Sequence, residues 1–127
     1  MSEFPERLSR SAEDYLEAIG HLCREHGQAQ VSDVAAMLNV KKPSVTAAMR
    51  QLAEQGFIAY RPYSPAVLTE KGEAYAAQVI NAHNILHRFM HEVAGLSEQR
   101  ADAAACLIEH ILTYEEIRAI GEKLPPR

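Results

Sequence analysis

The spacing of apolar positions predicts helices over most of this chain. The first apolar stripe lies between Ser11 and Gly27, and its members are Tyr15, Leu16, Ile19, Leu22 and Cys23. Positions three and four apart share one face of a helix, so the stripe predicts a helix with one buried side. Ser11 is of the type that caps a helix N-terminus, and acidic residues follow it in the first turn.

Two shorter helices and a hairpin are predicted next. One helix opens with Ser32 as its cap, and another begins at Ser44 and ends at Gly56. Their inner faces are predicted to consist of Val34, Ala35, Leu38, Val45, Ala48, Met49 and Leu52. Residues 57–61 and 66–69 are strand candidates separated by a proline-rich turn, and the prolines confine such a hairpin to an edge.

The second half of the chain is predicted to be entirely helical. We expect one long helix over residues 70–93 and a second helix over residues 97–112. Residues 113–116 form a capping box that opens a last short helix, which Pro125 ends. The predicted fold class is therefore mainly α, with an N-terminal winged helix-turn-helix followed by an all-helical lobe.

Length and composition narrow the classes of protein to which this chain can belong. The chain has 127 residues, 47% of them hydrophobic and 24% charged, which is typical of a globular protein. An eight-stranded α/β barrel needs roughly 200 residues or more and is excluded. No apolar run approaches the ~18 residues that span a bilayer, so no membrane association is expected. The start lacks the pattern of a signal peptide, and two cysteines suit a reducing compartment, so a cytoplasmic protein is expected.

Charge is distributed unevenly along the chain, whose formal net charge is -4. Residues 41–70 carry four basic and two acidic side chains, whereas the segments before and after them are net negative. This basic segment coincides with the predicted helix, turn, helix and hairpin, in which the N-terminus of the second helix would enter the major groove. The predicted DNA-binding residues are Lys41, Lys42, Pro43, Ser44, Thr46, Ala47, Arg50 and Arg61. The alternative is a small helical domain with a slightly basic surface.

Three predicted helices each carry a group of metal-type ligands. These groups are Asp14, Glu17 and His21; His83 and His87; and Asp102, Cys106, Glu109 and His110. Carboxylates gathered together repel one another, and a divalent cation would offset that cost. A mixture of oxygen, nitrogen and sulfur donors favours a first-row transition ion, because calcium prefers oxygen throughout.

Each group also has a structural interpretation. Asp14 and Glu17 are acids near a helix N-terminus, where the helix dipole favours them. His83 lies in an apolar stripe and fits a hydrogen-bonded core histidine. Cys106 fits a small buried apolar residue. From the residues alone, these alternatives stay open.

The chain as a whole resembles the diphtheria-toxin-repressor family of metal-dependent transcriptional repressors, and most closely its short manganese-transport-regulator branch. The segments that carry this resemblance are residues 11–17, 31–35, 43–46, 67–72 and 106–110, together with His83. The order and the intervals of these segments together are specific, although each segment alone is not.

The resemblance implies a winged helix-turn-helix DNA-binding domain over residues 1–72. It implies a helical metal-binding and dimerisation domain over residues 73–127, and a homodimer that binds palindromic double-stranded operator DNA when loaded with metal. The implied metal ligands are Asp14, Glu17, His83, Cys106, Glu109 and His110. His87 and Asp102 match ancillary ligand positions of some members.

The ligand set implied by the resemblance combines two branches of the family. The manganese branch usually has Glu where Cys106 stands, and the iron branch usually has Met where Asp14 stands. The implied ion is therefore Mn²⁺ or Fe²⁺, with Zn²⁺ or Co²⁺ as substitutes in vitro. The chain ends at Arg127, so no counterpart of the iron branch's SH3-like third domain is expected.

Three other functions compete with a metal-dependent repressor. The first is a winged-helix regulator that senses an organic ligand or the oxidation of Cys106. The second is a small metallohydrolase, since the spacing of Cys106, Glu109 and His110 loosely resembles zinc-protease motifs. The absence of a spare general base argues against it, so we expect no enzyme. The third is a purely structural dimerisation module, which does not explain the exposed basic residues of the central segment.

Overall fold

The structure is a computed structural model that describes residues 7–126. Its elements in chain order are α1 (Arg10–His26), α2 (Val31–Leu38), α3 (Lys42–Glu54), β1 (Ile58–Ala59), β2 (Val67–Leu68), α4 (Glu70–Arg88), a π-helical turn (Phe89–Val93), α5 (Glu98–Ile108) and α6 (Tyr114–Lys123). The predicted fold class, mainly α with one small hairpin, is confirmed. Packing divides the chain into two units, one up to Ala77 and one from Gln78. This division and the domain boundary expected after residue 72 both fall inside α4.

The first unit is built around the predicted apolar faces of α1, α2 and α3. Its most deeply buried apolar side chains on these helices are Leu16, Ile19, Val34, Val45, Met49 and Leu52, each at most 1% exposed. Full burial of one such side chain contributes about 1.5–3 kcal/mol. The core therefore fixes which side of α3 faces inward, and the remaining side is left for contacts outside the unit.

The hairpin is shorter than predicted but lies within both predicted segments. β1 and β2 pair antiparallel, with Ile58 opposite Leu68. Ala29 extends this sheet by one bridge, because its amide and its carbonyl both bond to Ala66 at 2.8 Å. Pro62 lies in the connection between β1 and β2, where its missing amide hydrogen prevents further pairing.

The N-termini of α1 and α2 differ from the predictions. Ser9, and not Ser11, caps α1: its side chain accepts a hydrogen bond from the Ala12 amide. Helix α2 begins at Val31 after an extended Gln30 that makes no side-chain cap, so Ser32 lies inside the first turn. In both cases the residue before the helix has an extended backbone, and the helix begins directly after it. The types of the capping residues alone do not determine that position.

Caps define the helices of the second unit. Ser97 caps α5 as predicted, and Thr113 and Glu116 form the predicted capping box of α6. Helix α5 ends at Ile108, earlier than predicted, because the chain turns there before Thr113 opens α6. Gly121 lets α6 approach α4 closely, since an added Cβ would lie 3.0 Å from Cδ1 of Ile85.

Candidate metal centre and DNA-reading helix

The N-terminus of α3 is exposed in the first unit. Lys41 is its extended N-cap, Lys42 is its first residue, and Pro43 occupies the first turn, where a proline is tolerated. Ser44 is exposed with these three residues, whereas Val45 next to it is completely buried. The core thus orients α3 so that its predicted DNA-binding end faces solvent.

The other predicted DNA-binding residues lie on α3 and on the hairpin. Ala47 and Arg50 are exposed, and Thr46 is half-buried. Arg61 is exposed just after β1, close in the chain to Tyr63 at the tip, which has a positive φ of 65°. A basic helix face beside a basic hairpin suits phosphate and groove contacts, because phosphate contacts position a helix and base-edge contacts specify a sequence.

Contacts from the start of α4 hold the hairpin in place. Thr69 donates its hydroxyl hydrogen to the Gly56 carbonyl at 2.6 Å and accepts from the Gly72 amide. Lys71 donates to the Gln55 carbonyl at 2.8 Å and lies over the Phe57 ring. At Gly72 an added Cβ would lie 1.8 Å from the Phe57 carbonyl oxygen, so only glycine fits there. The hairpin is therefore rigidly joined to the helix that follows it.

Two of the predicted metal ligands lie on α1. Asp14 and Glu17 are three residues apart, so they share a face of this helix, and both are half-buried. His21, the third member of this sequence group, is exposed. Glu13 faces a different environment: it is 1% exposed and binds Arg7 and Tyr75.

The second unit brings together His83, Glu109 and His110. Glu109 lies at the C-terminal end of α5 and is only 1% exposed. Its Oε2 lies 2.8 Å from Nδ1 of His83, and its Oε1 lies 3.3 Å from Nε2 of His110. The other ring nitrogen of His83 lies 2.9 Å from Asp102, which is exposed. One buried carboxylate is thus flanked by two imidazoles.

The two cysteines lie in different elements and differ as candidate metal ligands. Cys106 lies on α5, three residues before Glu109 and four before His110, and it is half-buried. Cys23 lies on α1, where burial, together with the Glu73 carboxylate, raises the pKa of its thiol. A thiol with a raised pKa is a poor thiolate donor. Cys23 is therefore a poor candidate ligand.

The two residues that match ancillary ligand positions, His87 and Asp102, both lie near the ring of His83. The His87 ring stacks near that of His83, with 6.4 Å between their centroids, and its Nε2 lies 3.8 Å from Glu98. Asp102 instead contacts His83. Their assignment as ancillary ligands stays a prediction.

The donor set of the second unit fits a first-row divalent ion. It offers imidazole nitrogens from His83 and His110 and a carboxylate from Glu109, with the Cys106 thiol one helical turn away. Such a mixture suits a transition ion better than calcium. A carboxylate as buried as Glu109 requires charged or hydrogen-bonding partners, and the His83 ring provides one at 2.8 Å.

The importance of Glu13 is not evident from the sequence. It is one acid among several near the start of a helix, and nothing local distinguishes a buried acid from a solvated one there. Within residues 7–126, no helix combines the length and apolar character needed to cross a bilayer.

Comparison with known proteins identifies two consecutive domains. Residues 7–66 match the family described as "Iron dependent repressor, N-terminal DNA binding domain". Residues 69–125 match "Iron dependent repressor, metal binding and dimerisation domain". An uncharacterised helix-turn-helix transcriptional regulator of Methanocaldococcus jannaschii is 36% identical over 109 residues, which is 85% of this chain and 87% of that protein.

Solved structures share the same fold. The crystal structure of T. acidophilum IdeR matches with a TM-score of 0.77 and 27% identity over 94% of this chain. A manganese-dependent transcriptional repressor in complex with manganese matches with a TM-score of 0.78 and 24% identity over 88% of this chain. The matches cover 55% and 51% of those chains, so this chain spans about half their length.

These matches confirm the resemblance to the diphtheria-toxin-repressor family. The two domain matches adjoin each other along almost the whole chain, in the order predicted from the sequence. Members of the family are transcriptional regulators and not enzymes, which agrees with the expectation that the chain has no catalytic role. The chain belongs to the iron-dependent repressor family of metal-dependent, DNA-binding transcriptional regulators.

Proposed function

We propose that this protein is a repressor that binds palindromic operator DNA as a homodimer when loaded with Mn²⁺ or Fe²⁺, and that it controls metal-homeostasis genes in the cytoplasm. The proposed ligands are Asp14, Glu17, His83, Cys106, Glu109 and His110. The observation that carries the proposal is the buried Glu109 carboxylate between His83 and His110, in a domain whose family binds metal.

The proposed coupling follows from where the ligands lie along the chain. Asp14 and Glu17 belong to the DNA-binding domain, whereas the other four belong to the metal-binding domain. A bound ion would supply positive charge that offsets repulsion among the carboxylates. Asp14 and Glu17 would then couple α1 to the dimerisation domain and hold the two copies of α3 about 34 Å apart, one turn of DNA.

The proposal is tested by measuring DNA affinity with and without metal. A palindromic operator selected from random duplexes is titrated with the full chain in the presence of Mn²⁺, Fe²⁺ under anaerobic conditions, Zn²⁺, or a chelator. Allosteric coupling is typically about 1–3 kcal/mol, so Mn²⁺ or Fe²⁺ should tighten binding roughly 5- to 150-fold. Full affinity after exhaustive chelation would instead favour the regulator that senses an organic ligand or Cys106 oxidation.

Replacing Glu17 gives the sharper test, because this carboxylate is the proposed connection from α1. Glu17→Ala should abolish the metal-stimulated increase in affinity while leaving weak metal-free binding intact. Glu25→Ala is the matched control: Glu25 lies on the same helix, is exposed and lies 3.5 Å from His26. A normal metal response of Glu17→Ala would show that Asp14 and Glu17 do not couple the domains in this way.

A further inference from the structure

The tip of the hairpin is a tight turn with an unusual residue in it. The turn runs from Arg61 to Ser64, and the Ser64 amide donates to the Arg61 carbonyl at 3.0 Å. Pro62 occupies its second position and Tyr63 its third, where φ is 65°. Proline followed by a residue with positive φ is the pattern of a type II turn, whose third residue is normally glycine or asparagine. A tyrosine in this position is therefore exceptional.

The conformation of Tyr63 lowers the stability of the turn. A residue with a Cβ is strained at positive φ, and bulky residues are rarely found there. The Tyr63 side chain is fully exposed, so it gains no burial that would offset the strain. Glycine would form the same turn without strain. A strained residue that contributes nothing to the packing of its own domain indicates a role in contacts outside it.

The position of the turn indicates what Tyr63 contacts. The turn belongs to the domain that binds DNA in this family. The hairpin lies against the end of α3, because Ala53 of that helix and Ile58 of β1 line one groove. Arg61 at the start of the turn is exposed and supplies a positive charge that attracts phosphate. Tyr63 is thus held on a supported hairpin beside the DNA-reading helix.

We propose that Tyr63 contacts the sugar–phosphate backbone of DNA, with its hydroxyl donating a hydrogen bond to a phosphate oxygen and its ring packing against a deoxyribose. Tyrosine is one of the residues whose side chains donate to DNA phosphates, and such contacts fix the orientation of a domain without reading the sequence. A fixed turn favours the contact, because less conformational freedom is lost on binding. The contact rests on the DNA-binding activity of the domain and not on the proposed response to metal.

The test compares the DNA affinity of the wild type and Tyr63→Phe. Both full chains are titrated with mixed-sequence duplex DNA at several salt concentrations and one fixed Mn²⁺ concentration. The variant lacks only the hydroxyl, so its affinity should fall about three- to tenfold. The slope of log affinity against log salt concentration should stay the same, because a tyrosine contact releases no counterion. Wild-type affinity of Tyr63→Phe would refute the contact, whereas a missing response to metal would leave the ratio of the two affinities unchanged.

A second pair of variants separates the DNA contact from the shape of the turn. Tyr63→Gly removes the ring and the backbone strain together, whereas Tyr63→Ala removes the ring and keeps the strain. Tyr63→Gly should therefore unfold at a higher urea concentration than Tyr63→Ala. Both should bind DNA about tenfold or more weakly than the wild type, because the ring and the hydroxyl are both lost. Wild-type affinity of Tyr63→Gly, or a stability below that of Tyr63→Ala, would overturn the proposal.

Tyr60→Phe is the matched control. It removes a hydroxyl from the same hairpin, but Tyr60 is half-buried and lines the groove between the hairpin and the end of α3. It should bind DNA as tightly as the wild type. Equal losses of affinity in Tyr60→Phe and Tyr63→Phe would show that the contact is not made by the tip of the hairpin.

Discussion

At the scale of single residues, the Glu13 carboxylate is the clearest structural anchor in the first unit. The Tyr75 hydroxyl donates to Glu13 at 2.6 Å and accepts from the Leu8 amide at 2.8 Å. Arg7 adds two charged hydrogen bonds to the same carboxylate. Since hydrogen bonds to charged groups contribute about 1.5–3 kcal/mol each, these contacts fasten the segment before α1 to the start of α4.

We therefore expect Tyr75→Phe to lower the free energy of unfolding by about 1.5–3 kcal/mol. The ring keeps its edge contact with Phe57, 5.4 Å between centroids, so the loss reports the hydroxyl alone. Urea denaturation measures the change. Tyr63→Phe is the control, because the Tyr63 side chain is fully exposed and its substitution should change stability by less than about 0.5 kcal/mol. Equal stability of the two variants would contradict this role of Tyr75.

The contrast between Glu13 and Asp14 shows what residue types in a sequence do not reveal. Both are acids near the start of α1, yet Glu13 is buried against Tyr75, which lies 62 residues later in the chain. His83 likewise pairs with Glu109, which lies 26 residues later in the chain. The sequence predicted candidate ligands by type and helix face, whereas such pairings depend on tertiary packing that no local pattern records.

At the scale of elements, helix caps determine where the second unit turns. In the box that opens α6, the Thr113 side chain accepts from the Glu116 amide at 3.0 Å, and the Glu116 side chain accepts from the Thr113 amide at 2.9 Å. Two backbone amides that the helix leaves without partners are thereby satisfied. The box therefore defines where α6 begins after the turn that follows α5.

Loss of the cap should therefore lower the stability of the protein. Thr113→Ala is expected to lower the free energy of unfolding by about 0.5–2 kcal/mol, the usual cost of removing a cap side chain. Chemical denaturation measures this cost, and Thr113→Ser should be close to the wild type because it keeps the hydroxyl. A Thr113→Ala variant as stable as Thr113→Ser would mean that the capping box does not stabilise α6.

The elements themselves were predicted better than their ends. The apolar positions of α1, α2 and α3 were correct because burial imposes a period of 3.6 residues on the sequence. The start of α1 was placed at the wrong serine because Ser9 and Ser11 are equally suitable caps, and backbone conformation chooses between them. The early end of α5 was missed because apolar positions continue to Leu112 beyond the last helical residue.

At the scale of the whole molecule, the charge distribution separates the DNA-binding helix from the rest. The chain has a net charge of -4, yet α3 begins with two exposed lysines and carries Arg50 further along. A protein that is acidic overall gains little from bulk attraction to DNA, so its affinity should depend on a few phosphate contacts. Lys42 is a suitable residue for testing this idea, because it is the first residue of α3, the end of the helix that is predicted to contact DNA.

Lys42→Ala should weaken binding to mixed-sequence duplex DNA and reduce its salt dependence, because one lysine–phosphate contact releases about one counterion. The slope of log affinity against log salt concentration should fall in magnitude by about 0.9, and affinity in 0.1 M salt should fall roughly five- to tenfold. Lys123→Ala is the matched control: it removes the same charge from the exposed last turn of α6. If net charge alone governed DNA binding, the two variants would show the same change in affinity and slope. A change confined to Lys42→Ala is what a specific phosphate contact at the start of α3 requires.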